Sequence, residues 1–180
     1  MKQKRAERIM EALKEMGLRQ MLIVDPMSIY YLTGVYVEPF ERFYALYLRE
    51  DGKHVYFLNK LFTVPEDVGV EKVWYSDTDP AAEIVAGYLD KESPLGVDKD
   101  LKARFLLPLM EMKAAAGFVN SSIAVDRTRG VKDEEEQDKM RTASDINDKA
   151  MAVFKTLIHE GVTERQVADQ MLKIYMDLGA

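Results

Sequence analysis

The side chains best placed for chemistry lie between Gly34 and Arg42, where Tyr36, Glu38, Phe40, Glu41 and Arg42 interrupt the apolar stretch YYLTGVYVEPFERFYALYL, residues 30–48. An aromatic ring and a guanidinium offered together suit an anionic ligand or another subunit, because Arg takes carboxylates bidentately and aromatics anchor interfaces. The plainer reading is a surface loop in which Glu41 and Arg42 are solvated. Both readings stand on the residues alone.

Other candidates are fewer still. The two histidines, His54 and His159, have no second histidine or carboxylate at ligand spacing and read as structural or solvated. The acidic run Asp133-Glu134-Glu135-Glu136 fits the first turn of a long helix, where exposed N–H groups stabilise carboxylates. Zero cysteines exclude a disulfide framework, a thiol nucleophile and a thiolate zinc site, and a reducing cytoplasm is the expected location. Gly-rich phosphate loops, G-x-S-x-G elbows and H-E-x-x-H motifs are all missing, so the residues alone compose no complete active site.

The elements that must position the 34–42 segment follow from periodicity. With 180 residues, 47% of them apolar and 31% charged, the chain has the profile of a globular sequence able to bury its own core. Its net charge of −6 argues against a nucleic-acid partner. The basic cluster Lys2 to Arg8 is broken by Glu7 and reads as the solvated face of a first helix carrying Ile9, Met10, Leu13 and Met16. No apolar run approaches the roughly 20 residues of a membrane span, and no signal-peptide core is present.

Met21-Leu22-Ile23-Val24 predicts a strand buried on both faces, closed by Asp25-Pro26. Tyr30 to Leu32 predicts one helical turn. Phe43–Leu48 and His54–Leu58 predict a hairpin turned at Asp51-Gly52, and Val70–Tyr75 a further strand. Asp79-Pro80 predicts the N-cap and first residue of a helix over Ala81–Leu89. Leu95–Val97 and Phe118–Asn120 predict brief strands flanking a helix over Leu101–Ala116 that breaks at Pro108. The pattern is α/β, a three-layer α/β/α domain with a mixed sheet over residues 1–126, then a linker over 127–132.

From Asp133 to Glu160 one helix carries the stripe Met140, Ala143, Ile146, Ala150, Val153, Phe154 and Leu157, and Thr163-Glu164-Arg165-Gln166 is a capping box opening another. Residues 133–180 therefore read as the first helices of an incomplete second domain, and the sequence is expected to be truncated.

Three segments carry a family resemblance. Ser28-Ile29-Tyr30-Tyr31-Leu32-Thr33-Gly34 resembles the amino-terminal-domain motif of the creatinase, prolidase and aminopeptidase P family. Arg129-Gly130-Val131-Lys132-Asp133-Glu134-Glu135-Glu136 resembles the segment leading into that family's catalytic domain, and Gly161-Val162-Thr163-Glu164 with Val167-Ala168 the next helix start. The resemblance implies the amino-terminal portion of an Xaa-Pro dipeptidase or aminopeptidase. It also implies a downstream "pita-bread" domain holding two divalent metal ions, manganese, cobalt or zinc, through two Asp, one His and two Glu. None of those ligands matches a residue here, so no cofactor and no catalytic residue is expected in this chain. A homodimer is implied, with the amino-terminal domain of one subunit over the active site of the other. In the creatine-cleaving branch a Phe and an Arg from this loop touch substrate; Phe40 and Arg42 match them. Glu41 stands where that branch has glycine, although Glu-Arg pairs occur in the peptidase branch. A non-catalytic binding protein with the same fold and a creatinase-like C–N hydrolase are the alternatives.

Overall fold

The computed structural model describes residues 1–180, which form two units, Met1–Gly130 and Val131–Ala180. In the first, helix α1 (Gln3–Glu15) is followed by strand β1 (Gln20–Ile23), helix α2 (Pro26–Thr33) and strands β2 (Ala45–Arg49), β3 (Val55–Asn59) and β4 (Glu71–Tyr75). Helix α3 (Ala81–Ala86), strand β5 (Leu95–Val97), helix α4 (Ala103–Glu111), strand β6 (Phe118–Asn120) and helix α5 (Ser122–Gly130) complete it. The second unit comprises α6 (Glu134–Leu157) and α7 (Glu164–Asp177).

The six strands form one sheet in the order β4-β3-β2-β1-β5-β6. It is mixed: β1–β2 and β2–β3 are antiparallel, while β1–β5, β5–β6 and β3–β4 are parallel. Leu22 sits opposite Tyr47 and Met21 opposite Leu48, and successive side chains point to opposite faces. Met21, Ile23, Leu46, Leu48, Tyr56 and Leu58 therefore join Ile9, Leu13, Ile29 and Leu32 in one buried cluster. Leu22, Ala45, Tyr47, Val55 and Phe57 join Val85, Leu89 and Leu109 in another on the opposite face. Helices cover both faces, which is the three-layer α/β/α arrangement. The uninterrupted apolar run of β1 is what a doubly covered strand requires. The β2–β3 hairpin turns at Asp51-Gly52, with Gly52 at φ +76°.

Four local expectations need correction. First, the residues expected only to close β1 also start a helix. The Asp25 carboxylate accepts from the N–H groups of Met27 and Ser28, Pro26 occupies the first turn, and α2 runs eight residues where one turn is expected. Second, Asp79 is not the N-cap of α3. Its Oδ2 accepts from Ser76 N and Oγ at 2.6 and 2.8 Å, a local turn that competes with capping, so Pro80 takes the cap position; α3 ends at Ala86, with Gly87 as its C-cap.

Third, Pro108 lies inside α4 without ending it; Leu109, fully buried, holds the chain in the core through that turn. Fourth, α5 runs to Gly130, so residues 127–130 of the stretch expected as a linker are helical. Its sequence SIAVDRTRG shows no regular apolar stripe, yet Ala124, Val125 and Thr128 are buried, the last donating from its hydroxyl to the Ala124 carbonyl at 2.8 Å.

In the second unit both helix starts carry reciprocal capping boxes. Asp133 accepts from Glu136 N at 2.9 Å while Glu136 accepts from Asp133 N at 3.0 Å, which gives the acidic run its place at a helix start. Thr163 and Gln166 do the same for α7. The two helices touch through Tyr175, whose hydroxyl donates to Asn147 Oδ1 at 2.8 Å.

Candidate functional site

Gly34 ends α2 in the left-handed conformation, φ +76°, with its N–H donating to Tyr30 O at 2.7 Å. The chain leaves the helix there and must return to the sheet at β2. In between, Val37 is buried and the Arg42 N–H donates to Pro39 O at 3.0 Å, which makes a turn of residues 39–42. Phe40 sits in that turn at φ +52°, a conformation costly for a side chain with a Cβ, and the residue is 68% exposed. Lys102 Nζ donates to the Phe40 carbonyl and ties the turn to the start of α4.

Arg42 is held more firmly still. Its Nε and Nη2 donate to Asp77 Oδ1 and Oδ2, both at 2.9 Å, and Glu41 Oε1 lies 3.1 Å from Nη1. Asp77 is itself braced by Asn59 Nδ2, which donates to Oδ1 at 2.7 Å, while Asn59 Oδ1 accepts from Leu61 N at 2.9 Å. Asn59 is fully buried at the end of β3, in register with Tyr75 at the end of β4, and Asp77 follows two residues later. The parallel β3–β4 pairing therefore brings the three together. Hydrogen bonds from Arg42, and then from Asn59, hold the Asp77 carboxyl below the usual carboxylate range. The Tyr75 hydroxyl donates to the Phe43 carbonyl, which fixes the chain just beyond Arg42.

Arg42 lines a cleft of about 550 Å³ with Glu41, Asp77, Arg104, Phe105 and Glu111. It also lines an adjoining recess of about 200 Å³ that includes Phe40 and Lys102. The two residues singled out from the sequence are thus brought to one place. Asp77, Asn59 and Lys102 are the structure's additions to the site. The only sequence signal for Asn59 is a polar residue closing an apolar strand, and nothing local marks Asp77.

A second polar cluster sits where β1 and β5 end. Buried Asp98 accepts from the N–H groups of Val24, Asp25 and Asp100 and from Ser122 Oγ, and burial pushes its carboxyl up against the downward pull of those N–H groups. Arg129 Nη1 donates to Asp25 Oδ2 at 3.2 Å and Ser28 Oγ at 3.0 Å. These groups satisfy one another and join α5 to β1 and β5. His54 accepts at Nδ1 from Arg49 N at 3.1 Å within the hairpin, and burial lowers its pKa. His159 is exposed, its Nδ1 3.1 Å from the Glu160 carbonyl. Nowhere do three His, Asp or Glu side chains converge to hold a metal ion. No helix is long and apolar enough to cross a membrane.

The creatinase/prolidase N-terminal domain family matches residues 5–131, and the chain belongs to that family. An uncharacterized peptidase of Staphylococcus aureus strain MSSA476 is 35% identical over 167 residues, covering 85% of this chain and 45% of its own. Dipeptidase PepE from Mycobacterium ulcerans superposes with a TM-score of 0.80 at 25% identity, over 98% of this chain and 49% of its own. A prolidase from Thermococcus sibiricus shares the fold with a TM-score of 0.83 at 20% identity, over 100% of this chain and 51% of its own. The chain spans about half the length of these relatives.

Proposed function

We propose that this chain is the N-terminal portion of a metal-dependent Xaa-Pro peptidase, a dipeptidase or aminopeptidase of the cytoplasm, which hydrolyses the bond preceding proline. The observation that carries the reading is the 35% identity to a peptidase along 45% of that protein's length, within the creatinase/prolidase N-terminal domain family. In this reading the portion shapes substrate access and dimer contacts and does not hydrolyse peptides alone. The two divalent ions, manganese, cobalt or zinc, belong to protein outside residues 1–180, and no chemical step is assigned to the residues described.

Phe40 and Arg42 then face a proline-containing peptide bound in the other subunit of a homodimer. Support comes from the exposure of Phe40 and from the fixed orientation of the Arg42 guanidinium. A carboxylate is the group such a planar fork recognises best.

The test compares this 180-residue chain with the product of its whole coding region, both assayed on Ala-Pro with manganese. Hydrolysis by the longer product and none by the chain supports the proposal. Turnover by the chain alone, or a longer product that cleaves no Xaa-Pro peptide, refutes it.

A further inference from the structure

The row of unpaired N–H and C=O groups along a bare sheet edge is a template for another strand, and folded proteins blunt such edges with short strands, proline, bulges or outward lysines. The two edges of this sheet differ in that respect. β6 is three residues long and runs almost at once into α5. β4, at the other edge, is five residues, Glu71-Lys72-Val73-Trp74-Tyr75, with no proline, no glycine and an unbroken register against β3. Its one lysine does not guard the edge. Lys72 Nζ turns back to donate to the carbonyls of Pro65 and Glu66 at 3.0 and 2.5 Å, and lies 5.8 Å from the centre of the Trp74 ring. Trp74, the only tryptophan of the chain, is left 37% exposed beside it.

Register decides which backbone groups this edge offers. Lys60 N donates to the Tyr75 carbonyl at 2.8 Å, so Tyr75 turns its peptide groups toward β3, and Val73 and Glu71 do the same. Lys72 and Trp74 therefore turn theirs outward. Their side chains share the sheet face of Tyr56 and Leu58, their register partners, while Val73 lies on the other face with Phe57. The pattern is self-complementary. Against an antiparallel second copy centred on Val73, each Lys72 falls opposite the other copy's Trp74, and the two pairs exchange four backbone hydrogen bonds. Like charges never meet across the axis: Glu71 falls opposite Tyr75, and each ammonium group faces an indole, which attracts it.

We propose that β4 is an interaction surface for a second copy of this chain, joining the two six-stranded sheets across a two-fold axis through Lys72 and Trp74. A five-residue ribbon falls short of the area that a stable dimer buries, so the association is reversible and concentration-dependent. It rests neither on the peptidase reading nor on any residue assigned there to a substrate.

The test uses the 180-residue chain, which has no cysteine, so that a single introduced one reports the register. Residue 73 meets its own copy across the axis as a non-hydrogen-bonded pair, with Cα atoms about 4.5 Å apart, inside the range that a disulfide spans. The two copies of residue 71 are displaced by four residues, about 13 Å, and lie outside it. Under mild oxidation Val73→Cys should form a covalent dimer at least about tenfold faster than Glu71→Cys. In the isotope-labelled chain without substitutions, the amides of Lys72 and Trp74 should exchange freely when dilute and gain protection as concentration rises. Those of Glu71, Val73 and Tyr75 should stay protected throughout.

Lys72→Pro removes only an outward N–H and leaves the ladder to β3 intact. In sedimentation velocity it should weaken the dimer at least about fivefold, the worth of two lost hydrogen bonds, one per copy. Trp74→Lys sets like charges opposite each other and should weaken it too, and adding Lys72→Glu to that variant should restore it. Equal cross-linking of the two cysteine variants, or Lys72 and Trp74 amides indifferent to concentration, would overturn the proposal. Neither readout involves hydrolysis, so its failure is separate from any failure of the longer product to cleave Xaa-Pro peptides.

Discussion

Between Met1 and Gly130 the side chains of β1, β2 and β3, Arg49 excepted, are buried on both faces of the sheet, whereas between Val131 and Ala180 only Ala150 is buried. Met140, Leu172 and Met176 of the helix pair are each more than half exposed. Both regions have sound local structure; the capping boxes at Asp133 and Thr163 are as complete as any helix start in the molecule. The difference lies in what the apolar side chains meet. A sheet covered by helices on both faces closes its own core, while two amphipathic helices satisfy only the strip along which they touch. Good caps make a helix begin in the right place; they do not supply it with a core.

This contrast can be broken by mutation, beginning where the effect is largest. Leu22→Ala, at a fully buried site on β1, should lower the stability of the first unit by about 2–5 kcal/mol in urea denaturation, the usual cost of an emptied core site. A loss below about 1 kcal/mol would mean that the sheet is not the stabilising core. Next, Asn59→Ala strands the Leu61 N–H and frees one side of Asp77. It should cost about 1–3 kcal/mol, the net worth of the two hydrogen bonds lost at about 0.5–1.5 kcal/mol each.

In the helix pair, Thr163→Ala removes the α7 cap and should cost that helix about 1 kcal/mol. Helicity measured by circular dichroism should fall, while the urea midpoint of the sheet unit, followed by Trp74 fluorescence, should not move. A shifted midpoint would show that the two regions unfold as one.

The smallest effect is a pH dependence confined to the hairpin. Burial lowers the folded pKa of His54 below its ordinary value, and the neutral ring accepts from Arg49 N–H. Its contribution is therefore complete above about pH 6.5, the unfolded value, and is lost as pH falls below it. Protection of the Arg49 N–H against hydrogen exchange, corrected for the intrinsic rate, should fall between about pH 7 and 5, and His54→Gln should abolish the excess loss. An excess that survives the substitution would place the titrating group elsewhere.

The elements that could be read from the sequence are those whose cause is local. The buried run of β1, the Asp-Gly hairpin and both capping boxes each depend on residues within a few positions of one another. The buried residues of α5 follow no clean stripe, and Asp25-Pro26 signals a strand end as readily as the start of α2. At the candidate site, Phe40 and Arg42 stand out in the chain as an aromatic and a cation in one apolar stretch. Their supports do not, because Asn59 and Asp77 meet Arg42 only through the parallel pairing of β3 with β4, across a separation that no local pattern encodes. The same holds for Lys102 beneath Phe40.

Native-state hydrogen exchange on the intact 180-residue chain tests the central contrast most directly. If the sheet unit is a self-contained scaffold for the Phe40–Arg42 turn, amides of β1, β2 and β3 should exchange only through global unfolding of that unit. Those of α6 and α7 should exchange through smaller local openings, orders of magnitude faster. Equal protection in the helices and the central strands would contradict the account.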